Sequence, residues 1–327
     1  MTKYDNTFLY LLICLLTFVL TLLIGSIAIP MLKQNATQPL YYEGPKWHET
    51  KAGTPTMGGI SFLIAISVSI IICTIYAYAT KNSTNALSLI LCLVYSVANA
   101  LIGIVDDLTK IKRKQNAGLT PKAKLILQFA AATLFLFARY FFLKDDCIIA
   151  YKFGEIDLGI LYYCISLIIL VGITNCANLT DGVDGLASSV AFAIGISTFY
   201  FAYGRNDAAC FVSAAMIGGT VGFLIFNVHP AKIFMGDTGS LYLGSLIAAL
   251  AFELDNPFIA VFNGGVFVIE GISVILQVII FKISKKRLFK MAPLHHHLEK
   301  SNWDENKICI YAMICTFLFS ILTGAIC

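Results

Sequence analysis

The sequence predicts an all-α, polytopic integral membrane protein with about ten transmembrane helices. Of its 327 residues, 58% are apolar and only 13% are charged, and the mean hydropathy is +0.80, well above that of a water-soluble domain. Ten mostly apolar stretches reach the length of about 20 residues that a bilayer-spanning helix needs. These stretches are continuous rather than alternating, which excludes the strands of a membrane β-barrel. The composition therefore leaves no room for a sizeable soluble domain.

The predicted spans, in chain order, are residues 8–30, 57–79, 86–105, 123–143, 158–177, 185–203, 208–227, 238–254, 258–282 and 307–326. The first is too long for a signal-peptide core and is followed by further spans, so we expect it to be retained. The ninth contains Gly264-Gly265 and Gly271, which favour a break, and Glu270 is expected to have a structural role beside it. Without an internal repeat or a Pro-rich linker, residues 1–327 are predicted to form one transmembrane domain.

Basic residues are distributed unevenly over the connections between the predicted spans. Seventeen of the 23 Lys and Arg residues fall in the five loops that follow odd-numbered spans or at the span ends that adjoin these loops. Because loops rich in these residues remain on the cytoplasmic side, these loops are predicted to be cytoplasmic and both termini extracytoplasmic. The net charge of +4 is small and dispersed, so we expect membrane lipids rather than nucleic acid as partners.

The predicted cytoplasmic loops carry three polar clusters. Asp106-Asp107-Leu108-Thr109-Lys110 follows the third span, residues 178–185 follow the fifth, and residues 236–240 precede the eighth. Adjacent carboxylates at a helix end repel one another unless a cation offsets them, so the pattern indicates a divalent metal or proton transfer. Taken alone, Asp106 and Asp107 are equally well explained as a solvated helix end. Oxygen ligands from separate segments suit Mg²⁺ better than zinc.

Other polar side chains on the same predicted face each allow two interpretations. Lys51, Lys110 and Lys122 would neutralise a pyrophosphate, or would only anchor the loops on the positively charged side. Phe234 would stack on a nucleobase or anchor the membrane interface. The consecutive side chains of His295 to His297 diverge on a helix or a strand, which argues against a shared metal site. At least one of them is expected to contact phosphate or transfer a proton.

Five motifs in this order resemble the phospho-N-acetylmuramoyl-pentapeptide transferase family. They are Lys51 to Gly59, Asp106 to Lys110, Asn178 to Ala187, Gly236 to Ser240, and His295 to His297. The resemblance runs from about residue 40 to residue 300. The wider polyprenyl-phosphate N-acetylhexosamine-1-phosphate transferase superfamily shares the acidic clusters, whereas the triple-His loop and the Gly-Thr-Pro-Thr-Met-Gly-Gly run are typical of the muramoyl-pentapeptide branch. Tyr242 and Leu298 depart from the Ala and Phe expected there.

The resemblance implies a Mg²⁺-dependent enzyme of the bacterial inner membrane, whose five cytoplasmic loops form one active site. It would transfer phospho-N-acetylmuramoyl-pentapeptide from UDP-N-acetylmuramoyl-pentapeptide to undecaprenyl phosphate, giving lipid I and UMP, the first membrane step of peptidoglycan synthesis. Either the acceptor attacks directly or a covalent aspartyl-phosphate forms first. The ninth span is the expected lipid groove. The oligomeric state stays open, with a homodimer as one option.

The resemblance also implies roles for individual residues. Asp237 is the implied metal ligand, with Asp106 and Asp107 as the remaining catalytic acids. Asn178 and Asp181 would organise the pyrophosphate and metal region. The implied uridine pocket consists of Lys51, Gly182, Asp184, Asn227, Phe234 and Gln277. Contacts with phosphates or with the sugar-peptide are implied for Lys110, Lys122, His295, His296 and His297.

Three alternatives remain. A UDP-N-acetylglucosamine-1-phosphate transferase of the same superfamily would use the same metal and lipid and differ in its donor. A transporter or lipid flippase is compatible with ten spans and Glu270, but it predicts ionisable residues near the middle of the bilayer and repeated halves. A structural membrane scaffold would leave the acidic loops unexplained.

Overall fold

The computed structural model describes residues 6–35, 51, 53–113, 115 and 117–326. Within these ranges the regular secondary structure is helical apart from one hairpin, and a helix lies at each of the ten predicted spans. The helices are α1 (Thr7–Asn35), α2 (Ile60–Ala79), α3 (Ser83–Arg113), α4 (Pro121–Ala138), α5 (Ile160–Thr180), α6 (Leu186–Ala202), α7 (Asp207–Asn227), α8 (Gly236–Phe252), α9 (Phe258–Asn263), α10 (Gly265–Ser284), α11 (Leu294–Glu299) and α12 (Glu305–Ile326). Ala52 of the first motif lies outside the described residues.

The helices have the lengths and compositions of membrane spans. In the described part of the chain, eight are long and apolar enough to cross a membrane, namely α1 to α5, α7, α10 and α12. Helix α6 is a further apolar helix of 17 residues, and α8, of the same length, is buried from Thr238 to Phe252. The prediction of an all-α, multi-pass membrane protein is confirmed. The side of the membrane on which the termini lie stays a prediction.

Two helices differ from, or refine, the predicted spans. Helix α3 continues about two turns past residue 105 to Arg113, so Asp106 and Asp107 are buried on a helix rather than placed in a loop. The helix continues because both carboxylates find cations or N–H donors, as described below. The predicted break in the ninth span is confirmed, since α9 ends at Asn263, α10 begins at Gly265, and Gly264 separates them.

A short antiparallel hairpin between α4 and α5 was not predicted. Its strands are β1 (Ile148–Tyr151) and β2 (Gly154–Asp157), and Ile148 pairs with Asp157. The backbone N–H of Lys152, in the turn, donates a hydrogen bond of 3.0 Å to the carbonyl of Ile326. The hairpin is therefore attached to the end of α12.

Helix α8 is the centre of the fold and packs between α3 and α5. Two glycines let the backbones around its first turn approach closely. A Cβ atom on Gly103 of α3 would lie 2.3 Å from the carbonyl oxygen of Asp237, and one on Gly59, just before α2, would lie 2.2 Å from Cα of Gly239. Because only glycine fits at such contacts, the start of α8 is brought against the acidic end of α3 and the first motif.

A buried ion-pair cluster joins the other ends of α4 and α8. The Arg139 guanidinium donates to Glu253 Oε1 at 2.5 Å and to the carbonyl of Phe252 at 2.9 Å, and it also pairs with Asp145. Ser88 of α3 donates to Glu253 Oε2 at 2.5 Å. Buried charges need such partners. The cluster therefore holds together the helix ends opposite to those that carry Asp106, Asp107 and Asp237.

Candidate active site

Three carboxylates meet where α3 ends and α8 begins. Asp106 and Asp107 come from α3, Asp237 comes from the first turn of α8, and one oxygen of each lies within 4.8 Å of the others. Asp106 and Asp107 are 4% and 3% exposed. Three acids at this separation repel one another strongly unless positive charge or N–H donors lie between them.

The Asp107 carboxylate caps the start of α8. One oxygen accepts the backbone N–H of Asp237 at 3.2 Å, and the other accepts the N–H and the hydroxyl of Thr238 at 2.9 and 2.8 Å. These N–H groups are among those that a helix leaves unpaired at its first turn. Asp107 thereby fixes the position of Asp237. Asp106 accepts a different N–H, that of Leu119, at 2.7 Å.

Two lysines balance the charge of the three acids. Lys110 Nζ lies 2.6 Å from Asp106 Oδ2 and 3.2 Å from Asp237 Oδ2. Lys124 Nζ lies 2.8 Å from the same Asp237 oxygen and donates to Asn178 Oδ1 at 3.1 Å. Asp237 Oδ2 therefore has two ammonium groups on it, one from α3 and one from α4.

Lys124, and not the predicted Lys122, contacts Asp237 of the three acids. Lys122 is exposed in the first turn of α4, whereas only 14% of the Lys124 side chain is exposed. The two side chains point about 200° apart on the helix. The sequence held one signal for Lys124, namely the polar residue Gln128 four positions later inside an apolar span. In the structure Gln128 is buried and accepts a hydrogen bond of 2.7 Å from Asn175. Residues at i and i+4 share a helix face, so Lys124 faces the bundle with Gln128.

Asn178 and Asp181 lie at the end of α5, beside the acids. The Asn178 amide donates to Asp237 Oδ1 at 2.9 Å and to the Ser240 hydroxyl at 2.8 Å. Asp237 is thus held through both of its oxygens. Burial and the negative charges of Asp237 and Asp107 raise the pKa of Asp181 well above the usual range of an aspartate.

A second polar cluster surrounds Lys51 of the first motif. Its ammonium lies 2.8 Å from Asp184 Oδ1 and 2.7 Å from Glu305 Oε2. His229 Nδ1 lies 3.0 Å from the other Asp184 oxygen. Burial opposes the charge of Lys51, but the two carboxylates outweigh it and raise its pKa. Sequence reasoning singled out Lys51 and Asp184, but neither His229 nor Glu305.

The first motif and the segment before α8 hold each other by backbone hydrogen bonds. The Phe234 N–H donates to the Pro55 carbonyl, and the Gly58 N–H donates to the Phe234 carbonyl, both at 2.8 Å. Buried Asn227 accepts the N–H of Gly185 at 3.1 Å and donates to the carbonyl of Ile233 at 2.9 Å. Phe234 is half-buried beside this frame.

His295 connects the histidine loop to the acidic loops. Its side chain is fully buried, and a Cβ atom on Gly182 would lie 2.3 Å from His295 Nε2. Its backbone N–H donates to Glu270 Oε1 at 3.1 Å. Glu270, in α10, therefore accepts a hydrogen bond from the backbone of α11. Gly182 has no side chain and so leaves the space that the His295 imidazole fills.

The other two histidines and Gln277 make separate contacts. His296 pairs with a glutamate of its own helix, and His297 Nδ1 accepts the N–H of Lys290 at 3.1 Å. Gln277 Oε1 accepts the N–H of Phe289 at 2.9 Å and so holds the basic loop against α10. The three histidines have different neighbours, as the divergent directions of their side chains predict.

Comparison with known proteins places this arrangement in a family. The model of glycosyl transferase family 4 matches residues 89–255, and a phospho-N-acetylmuramoyl-pentapeptide-transferase signature matches residues 51–63. A protein named phospho-N-acetylmuramoyl-pentapeptide-transferase from Halalkalibacterium halodurans is 42% identical to this chain over 95% of each of the two sequences. The protein of the same name from Bacillus subtilis is also 42% identical, over 94% of each sequence. One from Caldicellulosiruptor bescii is 39% identical over 95% of each chain. The chain belongs to the phospho-N-acetylmuramoyl-pentapeptide transferase family.

The matched regions contain the whole of the three-carboxylate cluster and, of the cluster around Lys51, every member except Glu305. The family-4 region includes the three carboxylates, both lysines that balance them, and Asp184. The signature begins at Lys51 and includes the backbone that holds Phe234. The histidine loop and Glu305 lie beyond the family-4 region and reach the site through α10 and α12.

Proposed function

We propose that this protein transfers phospho-N-acetylmuramoyl-pentapeptide from UDP-N-acetylmuramoyl-pentapeptide to undecaprenyl phosphate, giving lipid I and UMP. The observation that carries the proposal is the cluster of Asp106, Asp107 and Asp237 with Lys110 and Lys124 at one end of the helix bundle. Phosphoryl transfer depends on positioning the phosphates and on stabilising their negative charge. The two lysines supply positive charge for the phosphates, and the carboxylates hold these lysines in place. The names of the relatives supply the transferred group, phospho-N-acetylmuramoyl-pentapeptide, and the resemblance of the motifs implies the UDP carrier and the undecaprenyl phosphate acceptor.

The same carboxylates fit a magnesium ion. All three donors are oxygens within 4.8 Å of one another, and two ammonium groups already lie among them, which shows that this space favours positive charge. We propose that Asp237 is the principal Mg²⁺ ligand, because Asn178 and the cap from Asp107 fix its position. When bound, Mg²⁺ would neutralise and polarise the pyrophosphate of the donor.

The neighbouring acids have different tasks in this proposal. Both oxygens of Asp107 accept hydrogen bonds from backbone N–H groups at the start of α8, so Asp107 positions Asp237. Asp106 bonds Lys110 and one backbone N–H, which leaves it as the acid that contacts the acceptor phosphate and assists direct in-line attack. Lys110 and Lys124 would move their ammonium groups from the carboxylates to the donor phosphates.

The second cluster would bind the nucleotide. Lys51 and Asp184 offer hydrogen-bonding groups for uracil, and half-buried Phe234 offers a ring for stacking. His295, in contact with the Gly182 loop, would face the phosphates or the sugar-peptide. Since the basic loops adjoin these residues, we place this end of the bundle on the cytoplasmic side of the bacterial inner membrane. Roles for Lys122, His296, His297 and Gln277 in substrate binding stay predictions.

The experiment that tests this function measures UMP release by detergent-purified protein with undecaprenyl phosphate and Mg²⁺. We expect release with UDP-N-acetylmuramoyl-pentapeptide and none with UDP-N-acetylglucosamine. Release with the second donor alone would instead assign the protein to the sibling branch of the superfamily. No release with either donor, from protein shown to be folded, would refute the proposed transfer.

A further inference from the structure

Glu305, the first residue of α12, joins three segments that lie far apart in the sequence. A single oxygen, Oε2, accepts the Lys51 ammonium at 2.7 Å and the backbone N–H of Asp184 at 3.0 Å. The other oxygen lies 3.3 Å from His229 Nδ1. The Glu305 side chain is 12% exposed, so water screens these charged contacts only weakly.

Helix capping alone does not account for this arrangement. An acidic residue in the first turn of a helix is favourable in general because of the helix dipole. In α12, however, Asp304 already accepts the N–H of Asn306 at 3.1 Å, and it is exposed. Glu305 instead points away from its own helix and directs both oxygens at the cluster around Lys51.

The contacts of Glu305 restrict Lys51 in a particular way. With Asp184 as its only partner, the flexible Lys51 side chain would be free to rotate about one ion pair. Two carboxylates, at 2.8 and 2.7 Å, hold its ammonium in one place, and together they raise the Lys51 pKa despite its burial. The bond to the Asp184 N–H fixes the backbone of the loop that also contains Gly182.

We infer that Glu305 is a positioning residue for the nucleotide: it holds the Lys51 ammonium and the Asp184 backbone where they receive the uridine part of the donor. This inference rests on the proposed function, because it assigns Lys51 and Asp184 to donor binding. It predicts that Glu305 sets the affinity for the donor and for UMP without touching either one. The reacting phosphates, at the other cluster, do not depend on it.

The test is the steady-state kinetics of Glu305→Gln with the donor varied at saturating undecaprenyl phosphate. Gln keeps the shape and one acceptor oxygen but loses the charge, which weakens each hydrogen bond about twofold. We expect the donor KM and the UMP inhibition constant to rise about tenfold, with kcat and the acceptor KM within about twofold of wild type. Unchanged kcat also shows that the variant is folded. Asp304→Asn, which removes a charge from the same helix end, is the matched control and is expected to leave every constant unchanged.

A double-mutant cycle tests whether Glu305 acts through Lys51. In a Lys51→Met background, adding Glu305→Gln is expected to raise the donor KM by clearly less than it does in wild type, because the Lys51 partner is already absent and only the bond to the Asp184 N–H is left to weaken. Additive effects of the two substitutions would overturn the inference. So would an unchanged donor KM in Glu305→Gln, or an equal loss in Asp304→Asn. An active wild type with these results would refute only the role of Glu305, whereas an inactive folded wild type would refute the proposed function.

Discussion

Lys124 gives the sharpest test of the site, because a matched lysine lies two residues away on the same helix. Lys124 Nζ is one of two ammonium groups on Asp237 Oδ2, at 2.8 Å, against 3.2 Å for Lys110. Removing one preorganised donor from a charged transition state typically costs about 2.7–4 kcal/mol. We therefore expect Lys124→Met to lower kcat/KM for UMP release about 10²-fold to 10³-fold.

The matched variant is Lys122→Met, which removes the same charge from the same turn of α4. Its side chain is exposed, so we expect kcat/KM to change by less than about twofold. Thermal unfolding of both variants in detergent checks that neither has lost its fold. Equal losses in the two variants, or a loss confined to Lys122→Met, would refute the assignment of Lys124 to the phosphate site.

Two further predictions concern packing. Gly182→Ala places a Cβ atom 2.3 Å from His295 Nε2, so we expect the imidazole to be displaced and kcat to fall at least about tenfold. The control is Gly172→Ala, whose Cβ atom would have no atom within 4 Å, and we expect it to retain full activity. Full activity in Gly182→Ala would show that the position of His295 is irrelevant to transfer. The second variant, Arg139→Met, leaves Glu253 buried without its cation. We expect the free energy of unfolding to fall by about 3–5 kcal/mol, which is measured as a lower Tm, and we expect kcat of the folded protein to be unchanged. An unchanged Tm would contradict the importance of that ion pair.

The sequence was sufficient for the helices because their signal is one-dimensional. A continuous apolar run of about 20 residues has few outcomes other than a membrane-spanning helix, and Gly264-Gly265 marked the break in the ninth span. The β1–β2 hairpin had no comparable signal. Its strands are four residues each, and β2 is exposed throughout, so no alternation of apolar and polar residues marks it.

The site was predictable as a set of motifs but not as a set of contacts. Acidic residues at helix ends were visible, yet only the structure separates Asp107, which caps α8, from Asp106, which bonds Lys110. The choice between Lys122 and Lys124 depends on the rotation of α4 about its axis, which packing against α5 decides. Glu305 lies 254 residues from Lys51 in sequence, so no local pattern connects them.

We propose that Asp237, held by Asn178 and Asp107, binds the magnesium ion that transfer requires. The most direct measurement titrates Mg²⁺ into EDTA-treated, detergent-purified protein and follows UMP release together with the lipid-linked product, for wild type and Asp237→Asn. We expect wild type to be inactive until Mg²⁺ is added and to form the two products in equal amounts, and Asp237→Asn to be at least about 10³-fold slower at every Mg²⁺ concentration. Full wild-type activity in EDTA, or an Asp237→Asn variant as active as wild type, would contradict the role of Asp237 as a magnesium ligand.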